Sequence, residues 1–102
     1  MYRYTTPTIR CTLNGIDFSV VQFVRIAIKG NRTLIVRQIP VSEIDTETGL
    51  ATIKLTQEET AKLGYSDSEI EIQGRVKYAD GTVQPTTRVR SSLYDVLDKV
   101  VI

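Results

Sequence analysis

The clearest pattern of hydrophobic and polar positions lies in residues 69–90 and predicts a β-hairpin. Two segments in which apolar and polar side chains alternate flank the dipeptide Asp80-Gly81. This dipeptide favours a tight turn whose twist matches that of two paired strands. Because alternate side chains of a strand point to opposite faces, we expect one face of the hairpin in a core and the other in water.

The register of this hairpin follows from the turn. Counting outward from a two-residue turn places Val76 opposite Pro85 and Glu71 opposite Arg90. The second pair is favourable, because opposite charges across a strand pair attract. Proline has no N–H to donate to a further strand, so Pro85 is tolerated where that side is open. We therefore predict an edge strand at residues 82–90.

Four further segments alternate in the same way and are predicted as strands. They span residues 8–13, 22–29, 33–39 and 50–55. Turn residues separate them, so that short strands follow one another with frequent turns, as in all-β proteins.

Residues 14–21 have two interpretations. Asn14-Gly15 followed by alternating apolar residues is typical of a second tight hairpin. Alternatively, the segment is a connecting loop with Ile16 and Phe18 tucked beneath it. We favour the loop, because the alternation of the strand that follows is stronger.

The period changes after residue 55 and predicts one short helix near residues 57–63. Thr56 followed by Glu59 forms a capping box, in which the hydroxyl and the carboxylate each accept a backbone N–H at the start of the helix. Gly64 supplies the stop, since glycine readily adopts the conformation that ends a helix.

The last residues of the sequence are predicted as an apolar tail with a short helical stretch. Ser92 is a suitable N-cap for it. The apolar residues at helical spacing are Leu93, Val96, Leu97 and Val100. Residues 100–102 either pack against the open end of the domain or dock into a neighbouring subunit.

Together these elements predict an all-β fold, an immunoglobulin-like antiparallel β-sandwich of about six to eight strands with one short helix. A short helix before the penultimate strand is common in immunoglobulin-like domains. The 102 residues are enough for a single domain. Within it we expect residues 1–7 to form an N-terminal arm, and residues 93–102 to form a C-terminal tail packed on the body or on a neighbour.

The charge of the chain is balanced overall but uneven along its length. A formal net charge of +1 gives no general attraction to nucleic acid or to an acidic membrane. Residues 1–40 contain six basic side chains and one acidic one, whereas residues 41–71 contain eight acidic side chains and two lysines. Either two faces of opposite sign favour ordered stacking of copies, or the charges are scattered and solvated, which is the more usual arrangement.

The side chains that most catalytic and metal sites need are scarce. The chain has no histidine and one cysteine, Cys11, which excludes serine–histidine and cysteine–histidine catalysis and a cysteine-based zinc site. Cys11 alternates with Ile9 and Leu13 and is expected to be a small buried hydrophobic residue. Asp45 and Glu47 lack the further acidic ligands of a calcium loop. We therefore expect no enzyme, no catalytic residue, no cofactor and no metal.

The solvent face of the predicted hairpin carries basic side chains, at Arg75, Lys77, Arg88 and Arg90. Nucleic-acid binding usually needs denser charge together with exposed aromatic residues. Because Glu69 and Glu71 dilute this stripe, we predict no nucleic-acid partner. No apolar segment is long enough to span a bilayer, and no membrane partner is predicted.

Four segments, taken in their order along the chain, resemble a known group of proteins. They are the opening YRYTTPT, the central LTQEET, the hairpin around Asp80-Gly81 and the closing LYDVLDKVVI. Together they resemble small structural proteins of phages and prophages of Gram-positive bacteria, over nearly the whole chain. The resemblance implies an immunoglobulin-like sandwich associated with the virion, at its tail or baseplate, and it carries over no catalytic residue.

The function expected from this resemblance is that of a non-enzymatic structural or assembly protein. Its partners would be other phage structural proteins and further copies of itself. It would reside in the bacterial cytoplasm during assembly and then in the virion. The residues expected to contact neighbouring proteins lie on the arm, the hairpin and the tail, at Tyr2, Tyr4, Arg88, Arg90, Val100, Val101 and Ile102.

A second interpretation belongs to a different class of function, a small recognition module that binds carbohydrate or a host surface protein. Such a module needs exposed aromatic side chains. The chain has no tryptophan and only seven other aromatic residues, five tyrosines and two phenylalanines. The structural role is therefore preferred.

Overall fold

The computed structural model describes residues 1–31 and 33–102, which fold mainly into antiparallel β-strands. The strands of this described part are β1 (Thr8–Thr12), β2 (Val21–Lys29), β3 (Leu34–Pro40), β4 (Leu50–Lys54), β5 (Ser68–Tyr78), β6 (Val83–Pro85) and β7 (Val89–Leu93). One α-helix, α1, covers Gln57–Lys62, and two short 3-10 helices cover Phe18–Val20 and Val41–Glu43. The predicted all-β fold with one short helix is confirmed.

The strands form two sheets of unequal width. β1 and β4 pair with each other in a two-stranded sheet. The other sheet has five strands, in the order β3-β2-β5-β6, and β7 also pairs with β5. β6 and β7 therefore follow one another along the same side of β5.

The core consists of the residues that alternation directs inward. Val24, Ile26 and Ile28 on β2 are almost fully buried. They belong to the same buried cluster as Ala51 and Ile53 on β4. Full burial of one such aliphatic side chain contributes about 1.5–3 kcal/mol, so packing between the sheets is the main stabilising contribution.

The segment interpreted as a connecting loop is one over residues 14–20, as we favoured, and its last residue, Val21, begins β2. The loop contains the first 3-10 helix, and Asp17 caps it by accepting a hydrogen bond from the Ser19 backbone N–H at 3.1 Å. Ile16 and Phe18 are half-buried against the core.

The helix begins at the predicted capping box. The Thr56 hydroxyl accepts a hydrogen bond from the Glu59 backbone N–H at 3.2 Å, and the Glu59 carboxylate accepts one from the Thr56 backbone N–H at 3.0 Å. Glu59 also forms an ion pair with Arg37 on β3. This capping residue therefore ties the helix to an edge strand of the large sheet.

Gly30 and Asn31, which follow β2, lie against the end of the helix. The Asn31 N–H donates to the Leu63 carbonyl at 3.0 Å. A Cβ atom at Gly30 would lie 1.8 Å from the same carbonyl oxygen. Because Leu63 is fully buried, it has no room to shift, and glycine is required at residue 30 for this close approach.

The hairpin exists, but its turn is one residue longer than predicted. The Tyr78 N–H donates to the Thr82 carbonyl at 2.8 Å, so residues 79–81 form a three-residue loop. Gly81 adopts a positive φ of 92°, as this loop type requires. Pro85 consequently lies opposite Arg75, and the predicted pairing with Val76 is wrong.

A second irregularity restores the predicted register further along the hairpin. Thr86 lies opposite Gly74, whereas Val89 lies opposite Ile72, so one extra residue is accommodated between Thr86 and Val89. The predicted pair of Glu71 and Arg90 is therefore confirmed. The edge position of β6 is confirmed as well.

The predicted helical stretch after Ser92 is wrong. Ser92 and Leu93 belong to β7, and residues 94–102 contain no helix. Leu93 pairs with Ser68 on β5 and is fully buried. Burial of Leu93 in the strand register therefore prevails over the helical spacing of the apolar residues that follow it.

The ion pair between Arg37 and Glu59 makes a testable contribution to stability. The hydrogen bond from Arg37 lowers the pKa of Glu59, so the pair stabilises the fold above the unfolded pKa of about 4.3. This contribution is lost as the pH falls through the lower folded pKa. Glu59→Gln should reduce the free energy of unfolding at pH 7 by about 0.5 kcal/mol, because both side chains are partly exposed.

Urea unfolding at neutral and acidic pH measures this effect. The difference between the variant and the wild type should shrink as the pH falls to about 3. Glu58→Gln, on an exposed neighbour in the same helical turn, is the control and should have little effect. Equal losses for the two variants at pH 7 would contradict the assignment.

Candidate protein-binding cleft

An open cleft of about 580 Å³ lies between β1 and the side of the large sheet formed by β6 and β7. Its floor consists of inward-facing apolar residues from both sheets. These are Ile9, Cys11, Leu13, Ile26, Ile72, Val76 and Val89. The core is therefore not closed on this side of the sandwich.

The cleft has an unpaired strand edge on one wall. β1 pairs with β4 alone within the described residues. The Leu55 N–H donates to the Pro7 carbonyl, and the Leu13 N–H donates to the Gly49 carbonyl. The backbone N–H and C=O groups of the odd-numbered residues of β1 therefore point toward β4. Because antiparallel hydrogen bonding alternates, the backbone groups of Thr8, Arg10 and Thr12 point to the free edge.

On the opposite side, the first residues of the sequence pair with the chain just beyond the end of β7. The Arg3 N–H donates to the Tyr94 carbonyl and the Tyr94 N–H donates to the Met1 carbonyl, both at 2.8 Å. Tyr2 thereby forms a parallel bridge with Tyr94 beyond the end of β7. Further along, β6 has no partner on its outer side among the described residues.

The rim of the cleft is polar and weakly charged. The Thr86 hydroxyl accepts a hydrogen bond from the Gly74 N–H at 2.8 Å, and the Gln73 amide donates to the Thr86 carbonyl at 3.0 Å. A Cβ atom at Gly74 would lie 3.3 Å from the Thr86 methyl group. Among the described residues that line the cleft, Arg10 alone is charged. The cleft thus has an apolar floor, hydrogen-bonding edges and little charge.

Val89 shows that the inner face of the large sheet is not fully covered beside the cleft. Its register places it opposite Ile72, on the inward face of the large sheet, yet it is 55% exposed. Val24 and Val76, on the same face of neighbouring strands, are almost completely buried. The small sheet does not extend far enough to cover Val89.

Cys11 lies in the cleft lining and is half-buried, which agrees in part with the prediction of a buried residue. Burial raises the pKa of its thiol above the usual range. A raised pKa leaves less of the reactive thiolate at neutral pH. The thiol is therefore a natural reporter of whether the cleft is open or filled.

The structure separates the predicted contact residues. Tyr2 is 54% exposed and its ring packs on that of Tyr94, with centroids 5.1 Å apart. Tyr4 is half-buried and has a positive φ of 57°. The arm that carries these two residues is thus held against the chain's own last strand.

The predicted basic contacts are placed on the outer face of the large sheet. Arg88 forms an ion pair with Glu71 at 3.3 Å, and Arg90 lies opposite the same glutamate. Both arginines are exposed. They lie beside the cleft but do not line it.

The predicted contact residues of the tail lie near the first residue of the helix and are exposed. The Ile102 N–H donates to the Gln57 side chain at 2.8 Å, and the Gln57 amide donates to the Ile102 carbonyl at 2.6 Å. The side chains of Val100, Val101 and Ile102 remain largely outside the core, and Ile102 is 94% exposed. Whether this tail packs on its own body or docks into a neighbour stays a prediction.

No pattern in the sequence selects Arg3 as a contact residue. It is only 5% exposed. Its guanidinium donates to the carbonyls of Ala61 and Tyr65 and pairs with Asp95 at 2.8 Å. These bonds join the arm, the end of the helix and the tail. Because arginine is seldom buried, its presence in the polar N-terminal arm does not indicate that its side chain is buried.

Comparison with known proteins adds no relative. No protein family, no curated protein and no solved structure matches the chain. Within residues 1–31 and 33–102, no helix has the length and apolar character needed to cross a membrane. In the same residues, no group of three or more potential metal ligands occurs. Asp45 instead accepts a hydrogen bond from the Glu47 N–H at 3.1 Å, inside its turn.

Access to Cys11 provides a test of the cleft geometry. Alkylation of the wild-type thiol at pH 8 should be at least about tenfold slower than that of a free cysteine peptide, and should accelerate as the pH rises. Val89→Trp should slow the reaction further, because the indole fills the cleft beside the thiol. Val20→Trp, at an exposed valine outside the lining, is the control. Equal rates for the two tryptophan variants would show that Val89 does not border the route to Cys11.

Proposed function

We propose that this protein is a non-enzymatic structural component of a phage or prophage particle, at the tail or baseplate, and that it accepts a β-strand from a neighbouring protein. The observation that carries the assembly role is the apolar cleft bordered by unpaired strand edges. The setting in a phage particle rests on the resemblance of the four sequence segments. The two parts of the proposal are tested separately below.

We infer further that the sandwich is immunoglobulin-like. In that fold, strands B and E lie side by side in one sheet and strands C′, C, F and G in the other. The pair β1-β4 fits the first set, and the order β3-β2-β5-β7 fits the second. Strand A, which lies beside strand B, has no full-length counterpart in the described part of the chain. The cleft beside β1 is the place where such a strand would lie.

A strand from a neighbouring protein would make two kinds of contact in the cleft. Its backbone would hydrogen-bond to the free groups of Thr8, Arg10 and Thr12 on β1. Its alternate side chains would cover the apolar floor, including Val89 and Cys11. The five residues of β1 span roughly 17 Å, so a guest segment of about five extended residues matches its length.

The composition of the cleft supports binding over catalysis. General acid–base chemistry needs a group that titrates near the working pH. The ionisable side chains in the described lining are the guanidinium of Arg10 and the thiol of Cys11, and burial raises the pKa of the thiol. The described lining contains no carboxylate and no imidazole, the groups that most often transfer protons in enzymes.

A recognition module for carbohydrate is the second candidate, and one observation favours it. Tyr2 and Tyr94 form an exposed, tilted aromatic pair at one end of the molecule. Sugars stack on such rings. Binding of the full chain to a glycan array, abolished by Tyr94→Ala and unaffected by Val89→Arg, would support this role in place of assembly.

The experiment that tests the proposed function uses a bacterial strain that carries the gene and releases particles. The wild-type protein should be detected in purified particles by mass spectrometry. Val89→Arg should reduce its amount there by at least about tenfold, because an arginine in the cleft would have to be desolvated beside the guest strand. The exposed position of Val89 keeps the cost to the isolated fold small.

Val20→Arg is the matched control, since it adds the same charge at an exposed valine outside the cleft. It should enter particles as the wild type does. Absence of the wild-type protein from particles would contradict the phage setting. Equal incorporation of the wild type and Val89→Arg would contradict strand acceptance at the cleft.

A further inference from the structure

The outer face of the large sheet brings basic side chains together at its centre. Arg25 on β2 lies directly opposite Arg75 on β5. In the next row, Lys77 lies opposite Phe23, with its ammonium 5.6 Å from the centre of the phenyl ring. This group of residues is separate from the cleft, which lies on the inner face.

The facing arginines are unfavourable in the isolated chain. Like charges directly opposite each other on neighbouring strands repel. None of the ion pairs in the described part of the chain involves Arg25, Arg75 or Lys77. Within the described residues, the Nη1 atom of Arg25 donates to the Gln38 amide oxygen at 3.3 Å, and its Nε atom is buried without a hydrogen-bond partner. An anion placed between the two facing guanidinium groups would offset their repulsion.

The space around these residues has the form of a shallow pocket of about 220 Å³. Phe23 and Val83 form its apolar walls, and Arg25, Arg75 and Lys77 supply its charge. Guanidinium groups bind carboxylates through paired N–H donors. Apolar walls also reduce solvent screening of the charges. The pocket is therefore suited to an acidic side chain.

The same chain carries acidic side chains on the connection between β3 and β4. Glu43, Asp45 and Glu47 are all exposed there. None of them forms an ion pair within the described residues. The turn is held in shape, because the Leu50 N–H donates to the Asp45 carbonyl at 3.1 Å and the Gly49 N–H to the same oxygen at 2.7 Å. We call residues 43–47 the acidic turn.

We propose that the acidic turn of one copy binds the Arg25–Arg75 pocket of a second copy. The contact joins two different surfaces of the same chain, so it is heterologous and leads to a ring or a filament. It uses neither wall of the cleft and does not depend on strand acceptance there.

The mass of the full-length protein in solution tests this contact. Light scattering at about 20 mM NaCl should show a mass that rises with protein concentration, and about 0.5 M NaCl should return it to that of the monomer. Arg75→Glu should weaken association at low salt by at least about tenfold. Lys54→Glu makes the same change of charge on the exposed face of the small sheet and should associate as the wild type does.

Mixing two variants separates a heterologous contact from a symmetric one. Arg75→Glu retains the acidic turn but loses the pocket, whereas Glu47→Ala retains the pocket and weakens the turn without adding a cation that the reversed pocket could bind. Each should be monomeric alone, and the mixture should form a 1:1 complex that does not grow further. The folding control is thermal unfolding: Arg75→Glu should raise the midpoint, because it gives Arg25 a partner across the strands.

Three results would overturn the proposal. The wild type could remain a monomer at low salt and high concentration. Arg75→Glu and Lys54→Glu could associate equally, or the mixed variants could fail to form the 1:1 complex. If a single-stranded oligonucleotide instead bound the monomer and Arg75→Glu abolished that binding, the pocket would be assigned to a phosphate ligand.

Discussion

The unequal width of the two sheets is the constraint on which the rest of this structure depends. Five strands build the large sheet, and two strands cover it. The central strands β2 and β5 are buried on their inner face along most of their length. On the side of β7 the cover ends early. Val89 is left exposed there, although its position in the sheet directs it inward.

The polar contacts of the molecule are arranged around this constraint. The helix covers the β3 side of the sandwich through the ion pair of Glu59 with Arg37. The arm covers the end of β7 through Arg3 and the bridge of Tyr2 with Tyr94. Between the arm and β6, no described segment covers the inner face of the large sheet. The proposed binding function rests on that one uncovered stretch of apolar surface.

Local sequence signals predicted the parts of the fold that depend on local chemistry. The capping box at Thr56 and Glu59 and the inward residues of β2 and β4 were all found from spacing alone. The hairpin is predicted as well, but not its register near the turn. The turn is one residue longer than predicted, and the strand contains one extra residue after Thr86. These two shifts cancel, so that the pair of Glu71 with Arg90 is as predicted. A propensity for the Asp-Gly turn does not distinguish two-residue from three-residue loops.

The features that proved most informative about binding could not be predicted from local signals. The facing of Arg25 and Arg75 requires the pairing of strands that are distant in sequence, and alternation does not specify which strands are neighbours. The burial of Arg3 depends on carbonyls of Ala61 and Tyr65, which become available only where the helix ends. The cleft is a property of two sheets together. The helical spacing after Ser92 misled because tertiary packing of Leu93 decided the outcome.

Amide hydrogen exchange on β1 tests the central claim most directly, that the free edge of this strand receives a strand from a neighbour. The amides of Arg10 and Thr12 should exchange quickly in the free protein, because no strand of the described part pairs with β1 on that edge. In assembled particles they should become strongly protected, while those of Ile9 and Cys11, already bonded to β4, should change little. Unchanged exchange at Arg10 and Thr12 in particles that contain the protein would contradict the account.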